Sequence, residues 1–570
     1  MALVLSGAYG ITSCCENKVV ILNNESEQIY GRAAVLITLD AVNFTVFQDL
    51  LSSGSLPNIS QLIDNGIFVL GKTIVPSATC ASWAALGTGA PPQINGVVHT
   101  YAINATEYHS LPPNEEPSTL SYKDMIKAES IIEVANRENV ITGIIYSESK
   151  VSVFFGKNGT PTYSQYISET YDPYYAGLPV SFRKDYLEDL TNSFVSMIDS
   201  FIPSIKLGKN ALFVIDYPEP DASGHTHGPL SDYYREVLSL FDDFVGLIVN
   251  HLKETGLWDK TLLIFMTDHS MIQVDPDLNV LTSDMEHLAG LPLEHRVVGI
   301  GTLAYIYLKH PEQLEDALSY LKDIDWIESI WVRTPVGDYN RTLDEINLDS
   351  PYAGDIVISI KEPHFVSQYE NKGSHGGINT LNIPIIISGG MCNTSKVLEN
   401  GTVRLIDIAP TIAGFMNIDK PRNAVGNDLE VYSNYADLNI EIEPSIAEPN
   451  TNVTLSISYE MKMLEPDTSL ELVIIKDNST YYSNKTVDLT SKTGTKNITF
   501  MFEDEGYYDI YVAIKCEKRI LGGTTGRVLV VKVTVEESKT PIIASLILSI
   551  AIGVIIILTP YFVKKIRIGG

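Results

Sequence analysis

Leu262-Leu263-Ile264-Phe265-Met266-Thr267-Asp268-His269 is an apolar run that ends on an acid and an imidazole, and Val35-Leu36-Ile37-Thr38-Leu39-Asp40 repeats the pattern far upstream. Apolar runs without alternation read as strands buried on both faces of a parallel sheet, and in open α/β sheets ligands gather at the carboxyl ends of the strands. Acids and an imidazole at that edge point to a metal site.

Working outward, Val140 to Ile145, Ala211 to Asp216 and Ile383 to Ile387 are further strand-like runs. Helical patterns such as Tyr234 to Glu254 lie between them, and Asp407 to Ile412 opens a late helix. This rhythm predicts an α/β fold over 31–434, a mostly parallel sheet covered by helices on both faces. From 437 to 537 short alternating runs take over, among them Val453 to Ile457 and Tyr508 to Val512. They predict a β-sandwich of the immunoglobulin or fibronectin kind, with Asp504-Glu505-Gly506-Tyr507-Tyr508 resembling a tyrosine corner. Such a module reads as a spacer.

The stretch 541–563 is almost wholly apolar and uncharged, long enough to span a bilayer as one helix. Lys564, Lys565 and Arg567 follow it, so the tail 564–570 is expected in the cytoplasm and everything before the helix outside the cell. Segment 1–30 starts apolar but lacks a basic beginning, and is read as a remnant of an export signal. Sequons at Asn43, Asn104, Asn158, Asn340, Asn393, Asn478 and Asn497 predict an extracellular glycoprotein.

Bulk composition excludes some functions. In 570 residues, 40 basic against 70 acidic side chains give a formal charge of −30, so no nucleic-acid-binding surface is expected. Cys14, Cys15, Cys80, Cys392 and Cys516 form no CxxC pair, which excludes zinc-knuckle and thioredoxin-like chemistry. A Cys392–Cys516 disulfide stays open at this level.

The motifs that carry chemistry come in order: Pro76-Ser77-Ala78-Thr79-Cys80-Ala81-Ser82-Trp83, Asp221-Ala222-Ser223-Gly224-His225, Thr267-Asp268-His269-Ser270 and Gly373-Ser374-His375-Gly376-Gly377. With Asp40 at their head, they resemble the alkaline phosphatase superfamily in its nucleotide pyrophosphatase/phosphodiesterase branch. The resemblance covers roughly residues 33–432. It implies an alkaline-phosphatase-like fold and two divalent metal ions, zinc first, with manganese or iron as alternatives. Asp40, Asp268 and His269 would hold one ion, with Thr79 on it, and Asp221, His225 and His375 the other. Thr79 would be the nucleophile, and a phosphothreonine the intermediate.

The expected partner is a phosphate-ester small molecule such as a nucleotide or phosphodiester. A phosphomonoesterase, a headgroup phosphotransferase and a non-catalytic metal-containing surface protein are the alternatives. Where the family pattern has Pro-Asn after the nucleophile, this chain has Ala81-Ser82, which leaves the donor to a phosphoryl oxygen to Ser82 or Asn95. The Cys-x-Pro-Ser-Arg setting of sulfatases is absent around Cys80. His99, His227, His287, His295 and His364 match no ligand position. Tyr163, Tyr166, Tyr171, Tyr174 and Tyr175 form an aromatic stretch able to stack a nucleobase.

Overall fold

The computed structural model describes residues 31–531, except 113–114, 116, 168–178, 282–286, 368, 434, 464–466, 477–478, 484–486 and 517–518. Segment 1–30, the apolar stretch 541–563 and the tail 564–570 therefore lie outside the described residues. Among the described residues no helix is long and apolar enough to cross a membrane.

Seven strands form the main sheet: β1 (Ala33–Leu39), β2 (Ile67–Lys72), β3 (Ile141–Tyr146), β4 (Tyr163–Tyr166), β5 (Ala211–Tyr217), β6 (Thr261–Thr267) and β7 (Asn382–Ser388). Their order is β2-β7-β6-β1-β5-β3-β4. The pairings from β6 through β1, β5 and β3 to β4 are parallel. Strand β7 runs antiparallel to both neighbours, so the sheet is mixed.

Each central strand is buried along its whole length because both faces are covered. Val35, Ile37 and Leu39 of β1 pack with Phe194, Phe241 and Phe244 on one face, and Ala34 and Leu36 with Trp83 and Ile412 on the other. The helices that matter for the site are α1 (Thr79–Thr88), α2 (Val180–Lys206), α3 (Glu219–His227) and α4 (Asp232–Glu254).

The interval between His269 and His375 contains an inserted lobe. Its antiparallel sheet runs in the order His295–Ile300, Leu303–Leu308, Ile356–Ile360, Ile327–Val332, and it has its own apolar cluster.

After the α/β unit, two further sheets share one apolar cluster that includes Val453, Leu472, Tyr508 and Val528. The Tyr508 hydroxyl donates to the Asp504 carbonyl at 2.9 Å, the local geometry its sequence setting anticipates. Arg32 ties this unit to the first. Its Nη1 stands 2.8 Å from Asp437, its Nε donates to the Phe415 carbonyl, and its guanidinium lies 3.9 Å from the Tyr435 ring centre.

One sequence reading is settled. Cys392 and Cys516 are both free thiols, so the disulfide left open above is absent. The Asn43 side chain caps the helix Phe44–Ser52 by accepting from the Val46 amide, and its Nδ2 donates to the Met271 carbonyl.

Candidate active site

The site lies at the carboxyl edge of the parallel strands. Asp40 follows β1, Asp268 and His269 follow β6, and α3 starts just past β5. Asp221 and His225 are one turn apart on α3, so the helix itself makes them converge. Gly224 is therefore not a turn residue. A Cβ there would come within 2.3 Å of the Met271 sulfur, so glycine makes room for packing.

His375 comes from the segment Gly373-Ser374-His375, which pairs with Ile272–Gln273. The inserted lobe holds it from behind. The Thr302 amide donates to the His375 carbonyl at 2.6 Å, and Gly301 sits at φ +63°, where a Cβ would meet that carbonyl at 2.2 Å.

Thr79 is the first residue of α1, whose N-cap Ala78 offers no side-chain hydrogen bond. The Thr79 hydroxyl donates to Asp40 Oδ2 at 3.3 Å and lies 3.3 Å from His269 Nε2. His269 Nε2 is also 3.2 Å from Asp40 Oδ1 and 3.5 Å from Asp268 Oδ2. In the other half, Asp221 Oδ1 stands 3.3 Å from His225 Nε2 and 3.4 Å from His375 Nε2. The halves adjoin, because the His269 and His375 rings stack at 4.1 Å.

Among the described residues, two groups have ligand atoms mutually within 4.8 Å: Asp221, His225 and His375, and Asp40, Asp221 and His269. Asp221 thus reaches both halves, whereas the sequence reading gave it to one. Asp268 stays beside His269, and its Oδ1 accepts from the Ala41 and His269 amides.

The donor set fits cations. All three imidazoles present Nδ1 to a backbone carbonyl: His225 to Gly373 at 2.8 Å, His269 to Ser270 at 3.1 Å and His375 to Ser77 at 3.1 Å. A proton on Nδ1 leaves Nε2 as a lone pair turned into the site, the usual arrangement of a metal-ligating histidine. His225 Nε2 and His375 Nε2 then face each other at 3.2 Å, and a cation between them would relieve the repulsion of two lone pairs. Asp40 Oδ1, Asp221 Oδ1 and Asp268 Oδ2 are buried without a hydrogen-bond partner. Asp40 Oδ1 lies at ion-pair distance from His269 but lacks hydrogen-bond alignment.

The electrostatics agree. Burial, with Asp268 and Asp221 nearby, raises Asp40 well above the usual carboxylate range, and burial raises Asp268 to about 7. Burial also acts on Asp221, but the His225 and His375 imidazoles outweigh it and hold this acid well below its usual value. Burial and the adjacent His269 push His375 down to about 3. Raised acids beside a depressed imidazole describe a pocket whose ligand form needs added positive charge.

Two expected donors are engaged elsewhere. Asn95 Nδ2 donates to the Ala90 carbonyl and its Oδ1 accepts from the Val97 amide, so its side chain closes a turn. The Ser82 hydroxyl is buried 3.3 Å from Thr73 Oγ1, which itself donates to the Asp268 carbonyl. Both assignments as phosphoryl-oxygen donors are corrected. The tyrosine stretch also divides: Tyr166 pairs with Tyr146 at 5.5 Å, while Tyr163 lines a groove against α2 with Asn192 and Met197. Tyr171, Tyr174 and Tyr175 lie outside the described residues.

Sequence reading missed Lys150 and Asp216. The ammonium of Lys150 interacts electrostatically with both Asp221 and Asp40. Asp216 is fully buried on β5, accepting from Thr38 Oγ1 at 3.1 Å. Asp216 lies beside the last residue of β5, where the rule that found Asp40 would have flagged it, whereas Lys150 follows β3 in the 3-10 turn Ser149–Phe155 and carries no such mark.

A mixed α/β sheet with this cluster on its carboxyl edge defines a hydrolase of the alkaline phosphatase superfamily. A family model described as type I phosphodiesterase / nucleotide pyrophosphatase matches residues 34–380. The chain belongs to this family of hydrolases.

Among curated relatives, rat ectonucleotide pyrophosphatase/phosphodiesterase family member 1 is 26% identical over 224 residues, 39% of this chain and 22% of that protein. The Bos taurus bis(5'-adenosyl)-triphosphatase ENPP4 is 27% identical over 241 residues, 41% of this chain and 48% of that protein. The matches thus span less than half the length of these two relatives. Among solved structures, human ectonucleotide pyrophosphatase / phosphodiesterase 5 superimposes with a TM-score of 0.54 at 16% identity, covering 70% of this chain and 99% of that one. That likeness concerns the fold.

Proposed function

We propose that the chain is a metal-dependent phosphodiesterase or nucleotide pyrophosphatase that works through Thr79. The observation that carries this reading is the Thr79 hydroxyl, 3.3 Å from both Asp40 and His269 at the start of a helix no side chain caps. A site that merely held metal for structure would have no use for a hydroxyl at that point.

Asp40, Asp268 and His269 would hold one divalent cation and Asp221, His225 and His375 another, with Asp221 close enough to serve both. When bound, such cations, zinc first and manganese or iron as alternatives, supply Lewis-acid charge that favours the alkoxide and balances charge developing on phosphate. Asp40 accepts the hydrogen bond of the Thr79 hydroxyl and aims its oxygen. Thr79 Oγ1 gives up its proton to solvent as its bond to phosphorus forms and the ester bond breaks, and the leaving group takes a proton from solvent. Water then hydrolyses the phosphothreonine and restores the hydroxyl. The amides opening α1 and the positive end of its dipole suit an anionic phosphate beside Thr79, in place of the donors sought in Ser82 and Asn95. Tyr166, 48% exposed and paired with Tyr146, offers the ring on which a nucleobase would stack.

We read the chain as anchored through 541–563, with the α/β unit outside the cell and an immunoglobulin-like sandwich as spacer. The uncharged apolar length and the basic residues after it support this.

The test is hydrolysis of a chromogenic diester and a monoester by the full chain, with Thr79→Ala as control. Diester turnover should exceed monoester turnover, and Thr79→Ala should lose about a thousandfold or more in kcat. Equal turnover by wild type and Thr79→Ala would remove the nucleophile. Monoester preference would move the reading to a phosphomonoesterase.

A further inference from the structure

The backbone just after Asp40 is one that glycine adopts freely and alanine does not. The pairing of β1 with β5 runs on to Asp40, whose amide donates to the Tyr217 carbonyl at 2.9 Å, and Ala41 then turns the chain at φ +59°. A Cβ disfavours left-handed backbone, which persists only where the surroundings over-determine it. Ala41 is fully buried, so the turn is set by packing and hydrogen bonds.

The Ala41 amide donates to Asp268 Oδ1 at 3.3 Å, and the Val42 amide to Thr267 Oγ1 at 3.1 Å. A further hold comes from Tyr234, in the first turn of α4. Its hydroxyl donates to the Ala41 carbonyl at 2.8 Å and accepts from the Asn43 amide at 2.9 Å, bridging the far side of the turn. Tyr234 is itself fully buried. Its amide donates to the Ser231 side chain that caps α4, and its ring lies so near α3 that a Cβ on Gly224 would come within 3.3 Å of Cε2. The hydroxyl is therefore anchored independently of the turn it holds.

We propose that Tyr234 is a positioning residue, whose hydroxyl holds Asp40 and Asp268 in place for a cation by way of the Ala41 turn. This rests on the cation-dependent reading of the site and deepens it. Asp40 leads into the turn and accepts from the Thr79 hydroxyl at 3.3 Å, so relaxation of Ala41 to ordinary backbone would swing that carboxylate. The same relaxation would withdraw the amide from Asp268 Oδ1, the bond that leaves Oδ2 toward His269. Both hydrogen-bond partners of the Tyr234 hydroxyl are backbone atoms, so it acts on the ligands through the turn.

The test is a double-mutant cycle. Tyr234→Phe removes only the hydroxyl, and Ala41→Gly removes the cost of left-handed backbone. Zinc calorimetry on the cation-free full chain should show Tyr234→Phe weakening one binding event about tenfold and leaving the other within about twofold. In the Ala41→Gly background the same substitution should cost less than about threefold, because glycine keeps the turn unaided. Unchanged affinity, equal weakening of both events, or an equal loss in both backgrounds would each overturn the proposal. A second measurement needs no Tyr234 variant. In a chelator, Ala41→Gly alone should raise Tm by about 1 °C or more, and an unchanged or lower Tm would remove the strained turn and the proposal with it. A wild type that binds no zinc would defeat the cation reading instead. The melts then decide on the turn: Tyr234→Phe should lower Tm more with Ala41 in place than in the Ala41→Gly background, and equal losses would overturn it.

Discussion

At the scale of the residue, the site joins carboxyl groups of opposite tendency: burial holds Asp40 and Asp268 toward the neutral form, while the His225 and His375 imidazoles keep Asp221 ionised against burial. Asp268 shows the consequence most clearly. Burial raises it from an ordinary 3.8 to about 7, so the folded cation-free chain binds a proton there that the unfolded chain releases. Stability from this group is present below about pH 4 and is lost as pH rises to about 7. Other groups titrate in the same range, and burial pushes His375 the opposite way, so the useful quantity is a difference. In the cation-free protein, Asp268→Asn should gain stability over wild type as pH rises from 4.5 to 7.5, by at most roughly 4 kcal/mol. Thermal melts in a chelator measure it, and a gap that stays constant or narrows contradicts the burial argument. With zinc added, the order should reverse at pH 7.5, since asparagine is the poorer ligand. Much at this scale was legible. Asp40, Asp268 and His269 announced themselves by ending apolar runs, and Asp221 and His225 through the resemblance of their motif. Ser82 and Asn95 were misjudged because nearness in sequence to Thr79 says nothing of direction, and both turn to internal hydrogen bonds.

Elements decide how these side chains meet. The parallel strands were readable because burial on both faces removes alternation from their sequence. The reversal of β7 was not, since direction leaves no mark in a run such as Ile385-Ile386-Ile387. Pro384 sits one residue ahead of the stretch paired on both sides, so its missing amide leaves the central pairing intact. The inserted lobe acts on the site from behind. Its tight turn Gly301-Thr302 backs the carbonyl of His375 and so places that imidazole opposite His225. Gly301→Ala joins an unfavourable φ to a contact with that carbonyl, at a cost on the order of 1–3 kcal/mol. The variant should keep the ligands Asp40, Asp268 and His269 in place while weakening the other set. Metal analysis after dialysis should therefore find a loss of up to one cation per chain. Full retention of both would show that the lobe does not position His375.

At the scale of the whole molecule, a two-faced α/β unit brings residues from five distant stretches to one edge, and a second, all-β unit is fastened to it through Arg32. The strands from Ala436 onward form sheets with an apolar cluster of their own. The Arg32 fastening to Phe415, Tyr435 and Asp437 was not legible in the sequence, because it joins positions remote in the chain. Family membership, the ordered motifs and the geometry converge on one expectation, that the clustered ligands hold paired cations beside Thr79. Anomalous diffraction from zinc-loaded crystals tests this most directly. Two peaks are expected, one about 2 Å from ligand atoms of Asp40 and His269, the other equally close to His225 and His375. A single peak, or peaks away from Thr79, would contradict the two-cation site and leave the hydroxyl without its activator.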